Sequence, residues 1–489
     1  MYPKTTLGAF ALMTVVAMGA TAPASGAETT STVSTVSTVS GLATAHSAGT
    51  DGSRSAGQAL LGSGNSHFNG NPVTIQTMQS GSQYSLNDPT RPGLNCGRHG
   101  GPIFTKTTDT WGDGTGTSLE TACVDVMFAA QKHWDMLRNW LGRNGVDAAG
   151  RSYPASVGLN TINAYWDGTR TVFGHNSART NQLTSLDVVG FQYGLAVYAK
   201  TGTDDGNGAE AQALERSAAD IFGTLTEHYA NHPVALDEPD YLIGEEVNVD
   251  GRGPLIHMYK PSLTGNENCY SVSPTGTVDS GPQDHWFYLL AEGTNPPGKP
   301  ASPVCAGPSP LAGIGIQKAA RIFYLGLQRK SYGWSYRRAR VATVQAARSF
   351  YGCAEMNATK AAWTAISVPA QLGEPTCPTP TPTPTSSGPS SPSLSGITAA
   401  PPSATVRPGE FTTVQIKLTP DTVQQVALSA GPGPAGTTVS IIQNDRTITA
   451  TISVSDSTPQ GTHPITFTAT SGATTKTTQF ILTVVGDDG

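Results

Sequence analysis

A run of proline, threonine and serine divides this chain of 489 residues into two unequal parts. The segment "PTCPTPTPTPTSSGPSSPS" (375–393) favours an extended linker, because proline fixes its own backbone angle and has no N–H to donate. The residues on either side must therefore bury their apolar side chains in separate cores. We predict a large domain at 58–374 and a smaller one at 394–489.

The large domain changes from strand patterns to helix patterns along the chain. Apolar and polar residues alternate at 71–90, and two further strand patterns, "TINAYWDG" (161–168) and "RTVFG" (170–174), meet at a turn. Helical spacing of apolar residues is present at 118–142 and dominates after residue 184. A β-rich half followed by a helical half predicts an α+β fold.

The small domain shows strand patterns. Four segments alternate between apolar and polar residues, namely "TTVQIKL" (412–418), "TITATISV" (447–454), "PITFTAT" (464–470) and "TTQFILTVV" (477–485). Turn sequences such as "GPGPAG" separate them, and this part contains no cysteine. The pattern predicts an all-β, Ig-like sandwich without a disulfide.

The first residues have the pattern of an export signal. Lys4 precedes an apolar run at 7–20, which is too short to span a bilayer, and small residues follow at 25–27. We therefore predict a signal peptide at 1–27 and a secreted protein. The next stretch, 28–57, contains "STVSTVSTVS" and no large aromatic side chain, so we predict a low-complexity leader there.

Charge and cysteine content narrow the function classes further. A formal net charge of −6 argues against nucleic acid and against an anionic membrane surface, and we expect a monomer with no membrane span. Six cysteines, an even number in an exported chain, predict three disulfides, for which 15 pairings are possible. Their clustering favours Cys96–Cys123, Cys269–Cys305 and Cys353–Cys377.

Six sequence blocks occur in a fixed order between residues 58 and 368. They are "NAYWDG" (163–168), "LTSLDVV" (183–189), "SAADIFGTLTEHYAN" (217–231), "PDYLIGEEV" (239–247), "SGPQDHWFYLLAEG" (280–293) and "GIGIQKAARIFYLGL" (313–327). In these blocks the chain resembles the thermolysin family of secreted zinc metalloendopeptidases. The resemblance implies a two-lobed fold with a β-rich N-terminal lobe and a helical C-terminal lobe.

The family's zinc-binding helix has lost its chemistry here. In the motif H-E-x-x-H, two histidines bind zinc and the glutamate between them activates the metal-bound water. Counting from "DVV" (187–189), those positions are Phe191, Gln192 and Leu195. Phenylalanine and leucine offer no lone pair to a metal, and a glutamine amide cannot accept the proton.

The other catalytic positions of the family are also changed. Its third zinc ligand falls at Arg216, a permanent cation, its general acid at Thr277, and its substrate-binding arginine at Ile256. We therefore expect no zinc and no catalysis. Because Arg216 lies one turn before Asp220, we predict that its guanidinium takes the place of zinc and pairs with Asp220, while Phe191 and Leu195 fill the space of the imidazoles.

The resemblance also implies a structural calcium site beside the same helix. The matching carboxylates are Asp187, Glu227, Asp240 and Glu245. Carboxylate oxygens are hard ligands of the kind that calcium prefers. A further ligand position of the family's double site holds Leu242, so we expect one ion rather than two.

The strand "NAYW" (163–166) matches the edge strand that pairs with extended substrate in the family. Asn163, Ala164 and Trp166 are therefore predicted to bind peptide by strand addition, although aromatic residues here also suit simple packing. We predict a secreted, catalytically inactive homologue that binds an extended peptide or protein, or a cell-surface polymer, through its cleft and sandwich. The alternatives are an active metalloendopeptidase with other metal ligands and a structural wall or matrix protein.

Overall fold

The computed structural model describes residues 57–271, 279–377, 394–420, 426–444, 447–455, 458–471 and 474–486. The chain divides into two compact units, Met1–Pro375 and Thr376–Gly489. The predicted signal peptide, nearly all of the predicted leader and most of the predicted linker lie outside the described residues. Within those ranges, the helices are too short or too polar to cross a membrane.

Strands dominate the first half of the larger unit, with one long helix among them. The elements are β1 Gln58–Gly64, β2 Val73–Ser80, β3 Gln83–Ser85, β4 Cys96–Arg98, β5 Thr105–Lys106, β6 Thr110–Trp111, α1 Leu119–Asn139, β7 Ala155–Val157, β8 Ala164–Trp166 and β9 Thr171–Phe173. The strand orders are β5-β3-β2-β1-β6 in one sheet and β4-β7-β9-β8 in the other. Strand β8 therefore lies at an edge.

Helices dominate the second half of the same unit. They are α2 Leu186–Ala199, α3 Ala209–Ala230, α4 Gly281–Ala291, α5 Ile316–Leu327, α6 Tyr336–Phe350 and α7 Cys353–Ala365. A short hairpin, β10 Leu242–Ile243 and β11 Ile256–His257, lies between α3 and α4. This order of a β-rich lobe and a helical lobe confirms the predicted α+β fold.

The helix α1 connects the two lobes. It begins at Ser118, whose side chain accepts a hydrogen bond from the backbone N–H of Thr121, and Glu120 lies in its first turn, where the helix dipole favours a negative charge. Most of its residues are buried, and it packs against α2 and α3 as well as against the sheets.

The helix α2 lies at the centre of the unit, and every residue in it except Ala199 is buried. Glycines on this helix let α3 approach closely. A Cβ atom at Gly190 would lie 2.6 Å from Oγ1 of Thr226, and one at Gly194 would lie 2.7 Å from Cβ of Phe222. Both distances are too short for real atoms, so the crossing of α2 and α3 requires glycine at these positions.

Disulfides tie both lobes of the larger unit. Cys96–Cys123 joins β4 to α1, and Cys269–Cys305 links the segments on either side of α4. Cys353 and Cys377 are also disulfide-bonded, and none of the six cysteines is free. The pairing predicted from the clustering of the cysteines is confirmed.

The smaller unit is a β-sandwich. Its strands are β12 Gly396–Ala400, β13 Ser403–Val406, β14 Phe411–Thr419, β15 Ala427–Ala430, β16 Thr437–Asn444, β17 Thr447–Val454, β18 Gly461–Ser471 and β19 Thr474–Val484. They form two sheets, ordered β12-β14-β17-β16 and β13-β19-β18-β15. Side chains from both sheets, including Ile416, Ile452, Phe467 and Phe480, share one core.

Candidate functional site

An apolar cluster occupies the position where the resemblance expects a metal. Phe191 and Leu195 lie one turn apart on α2 and pack against Ala219 of α3, and the three side chains are 2%, 7% and 0% exposed. Trp166 of β8 packs against the same cluster. A site built of hydrocarbon groups has no electron pair for a metal and excludes the water that a metal would activate.

The other positions that match catalytic residues of the family hold different side chains here. Gln192 is fully buried on α2. Ile256 is half-buried in β11, where it pairs with Ile243 of β10. Thr277 lies outside the described residues. The described positions therefore supply neither a general base nor a cation to bind the substrate carbonyl.

Asp220 lies one turn after Arg216 on α3, and the ion pair between them stays a prediction. Asp220 is only 1% exposed, and its Oδ2 atom has no hydrogen-bond partner among the described residues. Burial raises the pKa of Asp220 to about 7, and the positive charge of Arg216 lowers it only in part. The Asp220 carboxyl also lies close to a second buried acid, Asp284 of α4.

Strand β8 has one free edge within the described part of the chain. It pairs with β9 alone, and the backbone of Asn163 is already used, because its carbonyl accepts from the N–H of Gly174 at 2.8 Å. Backbone groups of alternate residues in a strand point to opposite sides, so Ala164 and Trp166 direct their N–H and C=O groups away from β9. These two residues can pair with an added strand, and Asn163 can contribute only its side chain.

The edge strand also carries part of the apolar surface. The ring of Trp166 lies 4.6 Å from that of Tyr153 in an edge-to-face arrangement and covers the cluster formed by Phe191 and Leu195. An extended chain lying along β8 would therefore meet backbone hydrogen-bonding groups and aromatic side chains together.

A group of acidic residues surrounds the beginning of α2 and the end of α3. Carboxylate oxygens of Asp187, Glu245 and Glu246 lie within 4.8 Å of one another, and so do those of Glu227, Asp237 and Glu245. Glu245 belongs to both trios. The structure thus brings together three of the four predicted calcium ligands and adds two, Asp237 and Glu246, that sequence reasoning missed.

Asp240, the fourth predicted ligand, belongs to neither trio. Its backbone N–H donates to Oε1 of Glu227 at 2.9 Å, and its Oδ1 accepts from the N–H of Leu242 at 2.7 Å. These bonds make Asp240 a support that orients Glu227. The missed residues had a visible signal, since "LDEPDYLIGEEV" (236–247) is rich in acids, but only the folded loop shows which of them face one another.

The acidic trios suit a divalent cation. Five carboxylate oxygens have no hydrogen-bond partner within the described residues: Oε2 of Glu227, Oδ2 of Asp237, Oε1 and Oε2 of Glu245, and Oε2 of Glu246. Buried carboxylates without donors or cations are unfavourable, and hard oxygen ligands in this number are those that calcium takes.

The electrostatics of the trios support the same conclusion. Burial, followed by the charge of Glu246, raises the pKa of Asp187 to about 6 and that of Asp237 to about 9. Burial and the charge of Asp187 raise the pKa of Glu245 strongly. Mutual repulsion of this kind holds protons that a bound divalent cation would displace.

The β-rich lobe, the helical lobe and the two close-packed helices between them define a metallopeptidase-type fold. Comparison with known families agrees: residues 61–198 match the thermolysin metallopeptidase catalytic domain, and residues 208–368 match the alpha-helical domain of the same family. The chain belongs to the thermolysin metallopeptidase family.

Known relatives of this chain carry protease names. It is 37% identical over 327 residues to the transglutaminase-activating metalloprotease of Streptomyces mobaraensis, covering 63% of this chain and 42% of the relative. It is 31% identical over 330 residues to bacillolysin of Bacillus cereus, covering 61% and 53%. It is 33% identical over 281 residues to thermolysin of Alicyclobacillus acidocaldarius subsp. acidocaldarius, covering 53% and 48%. The chain thus spans about half the length of these relatives.

Proposed function

We propose that this protein is a secreted, catalytically inactive member of the thermolysin family that binds an extended peptide or protein segment in its former substrate cleft. The observation that carries the proposal is the buried apolar cluster of Phe191, Leu195 and Ala219. Without metal ligands there is no Lewis acid and no activated water, and the amide of Gln192 cannot act as a base.

Binding would use the free edge of β8. An extended ligand would add a strand by pairing with the outward backbone groups of Ala164 and Trp166. Its side chains would meet the aromatic surface of Trp166 and Tyr153, so apolar or aromatic ligand residues are favoured there.

Calcium would serve as a structural ion in this proposal. Bound between the trios that share Glu245, it would hold the loop 237–246 against α2 and α3 and would supply the positive charge that five unpartnered carboxylate oxygens require. The proposal includes no zinc.

The first alternative is an active endopeptidase, which the names of the relatives favour. The two functions differ in metal content and in proteolysis. We expect purified protein to contain calcium without zinc by elemental analysis, and to leave casein intact. Stoichiometric zinc together with chelator-sensitive cleavage of casein by homogeneous protein would establish the alternative instead.

The second alternative places the function in the sandwich, as a wall, matrix or surface-polymer binding module. Full-length protein and protein lacking 390–489 can be used as baits for the native secretome. Binding through the cleft predicts capture by both baits and its loss from Trp166→Ala, with Trp166→Phe as the control that keeps an aromatic surface. Capture that is lost without residues 390–489 and is unchanged in Trp166→Ala would support binding through the β-sandwich.

A further inference from the structure

Two aspartates are buried together directly behind the apolar cluster. Asp220 follows Ala219 on α3, Asp284 lies on α4, and their exposed fractions are 1% and 0%. Asp284 is close enough to hydrogen-bond the Asp220 carboxyl. Neither residue has a role in the peptide-binding proposal or in the calcium trios.

The pair has only weak hydrogen-bond donors beside it. Among the described residues, Oδ2 of Asp220 and both carboxyl oxygens of Asp284 have no partner at ordinary hydrogen-bond geometry. The buried hydroxyls of Ser217 and Ser280 lie near the two carboxyls and lower their pKa values less than burial raises them. Two ionised carboxylates side by side in such a place would combine the cost of desolvation with mutual repulsion.

The surrounding charges indicate what resolves this conflict. Arg216, on the same helix as Asp220, contributes one positive charge. Asp187 from α2 and Asp279, just before α4, add negative potential, and Tyr336 of α6 is a neutral phenol. One proton neutralises the group formed by Arg216, Asp220 and Asp284, whereas a divalent cation would leave it with a net positive charge.

We propose that Asp220 and Asp284 form a hydrogen-bonded acid pair that keeps one proton at neutral pH and acts as a pH-sensitive lock between α3 and α4. The protonated carboxyl of Asp284 donates its O–H to the carboxylate of Asp220, and this hydrogen bond joins α4 to α3. When the pH rises above the folded-state pKa of Asp284, the proton leaves, the two charges repel, and the α3–α4 contact weakens.

The direction of the pH effect follows from burial. Burial raises the pKa of Asp220 to about 7 and raises that of Asp284 well above its ordinary value. Because both values are higher than in the unfolded chain, the stabilisation is complete below the ordinary range of about 4 and is lost as the pH rises through the folded-state values.

The test compares Asp284→Asn with the wild type, because an asparagine amide donates the same hydrogen bond and does not titrate. Equilibrium unfolding in urea is measured from pH 5 to 9 in saturating calcium, which removes retained protons from the calcium trios. One retained proton makes the unfolding constant rise tenfold per pH unit. We expect Asp284→Asn to lower the slope of the logarithm of the unfolding constant against pH by about one.

The control is Asp113→Asn. Hydrogen bonds from Thr115 hold the pKa of this exposed acid at about 2, so its loss should leave the slope unchanged. An unchanged slope in Asp284→Asn would overturn the acid pair.

Infrared spectroscopy of the wild type keeps the test decisive if the variant does not fold. Burial raises the pKa of Glu215 to about 7 and that of Asp125 to about 6, so both are largely ionised at pH 8. In calcium at this pH, the carboxyl of the Asp220–Asp284 pair should still give the infrared absorption of one protonated carboxyl per chain. Absence of that absorption would also overturn the proposal.

Discussion

Calcium should stabilise this protein through Glu245, the one carboxylate that belongs to both acidic trios. At a calcium concentration 100 times its Kd, binding to the folded state adds about 2.7 kcal/mol to the free energy of unfolding. For the larger unit this corresponds to a rise of about 4 °C in Tm. Glu245→Gln removes a ligand from both trios, and we expect it to lose most of that gain.

The same substitution should have the opposite effect when calcium is absent. Without calcium, the carboxylate of Glu245 is repelled by its acidic neighbours and retains a proton. A neutral amide at this position removes the repulsion and needs no proton. We therefore expect Glu245→Gln to be at least as stable as the wild type in chelator at pH 7.5.

Differential scanning calorimetry in chelator and in millimolar calcium measures both effects. The matched control is Glu238→Gln, because Glu238 is an exposed acid in the same loop and should keep the full calcium gain. A wild-type Tm that does not change with calcium would refute the assignment of the trios as a calcium site. A Glu245→Gln variant that keeps the full rise in Tm would refute it as well.

Three further outcomes follow from the site. The protein should cleave neither casein nor a furylacryloyl dipeptide with or without added zinc, and Gln192→Glu alone should not restore activity, because Phe191 and Leu195 would still exclude the metal. Phe191→Ala should lower the free energy of unfolding by roughly 3–5 kcal/mol in urea titrations, since it leaves a cavity in a packed cluster; a loss below about 1 kcal/mol would mean that the cluster is open to solvent. Arg216→Ala should raise the pKa of Asp220 further, because the positive charge of Arg216 lowers that pKa in the wild type. An unchanged pKa of Asp220 would mean that the guanidinium does not act on this carboxyl.

The backbone of the site was predictable from sequence because it depends on local patterns. Alternation of apolar and polar residues predicted β8 and β9, and helical spacing of apolar residues predicted α1 to α3. The order of the six sequence blocks indicated which residues meet where α2 crosses α3. The change of Phe191 and Leu195 from metal ligands to hydrocarbon side chains was also readable, since lone pairs are a property of residue type.

Side-chain partnerships depended on facts that the sequence does not carry. The spacing of Arg216 and Asp220 on one helix was readable from the sequence, but the approach of Asp284 from α4 to the Asp220 carboxyl was not. In the same way, Asp240 and Asp237 are both acids of one loop, and only its folded path shows that Asp237 faces Glu227 while Asp240 supports it through backbone hydrogen bonds.

The glycines at the crossing of α2 and α3 have a consequence for how this site can change. Gly190 and Gly194 let the two helices approach closely, and a side chain at either position would push them apart. The backbone positions for ligands on both helices are therefore retained without the ligands. A metal centre could therefore be introduced here by exchanging side chains on an existing frame, without moving either helix.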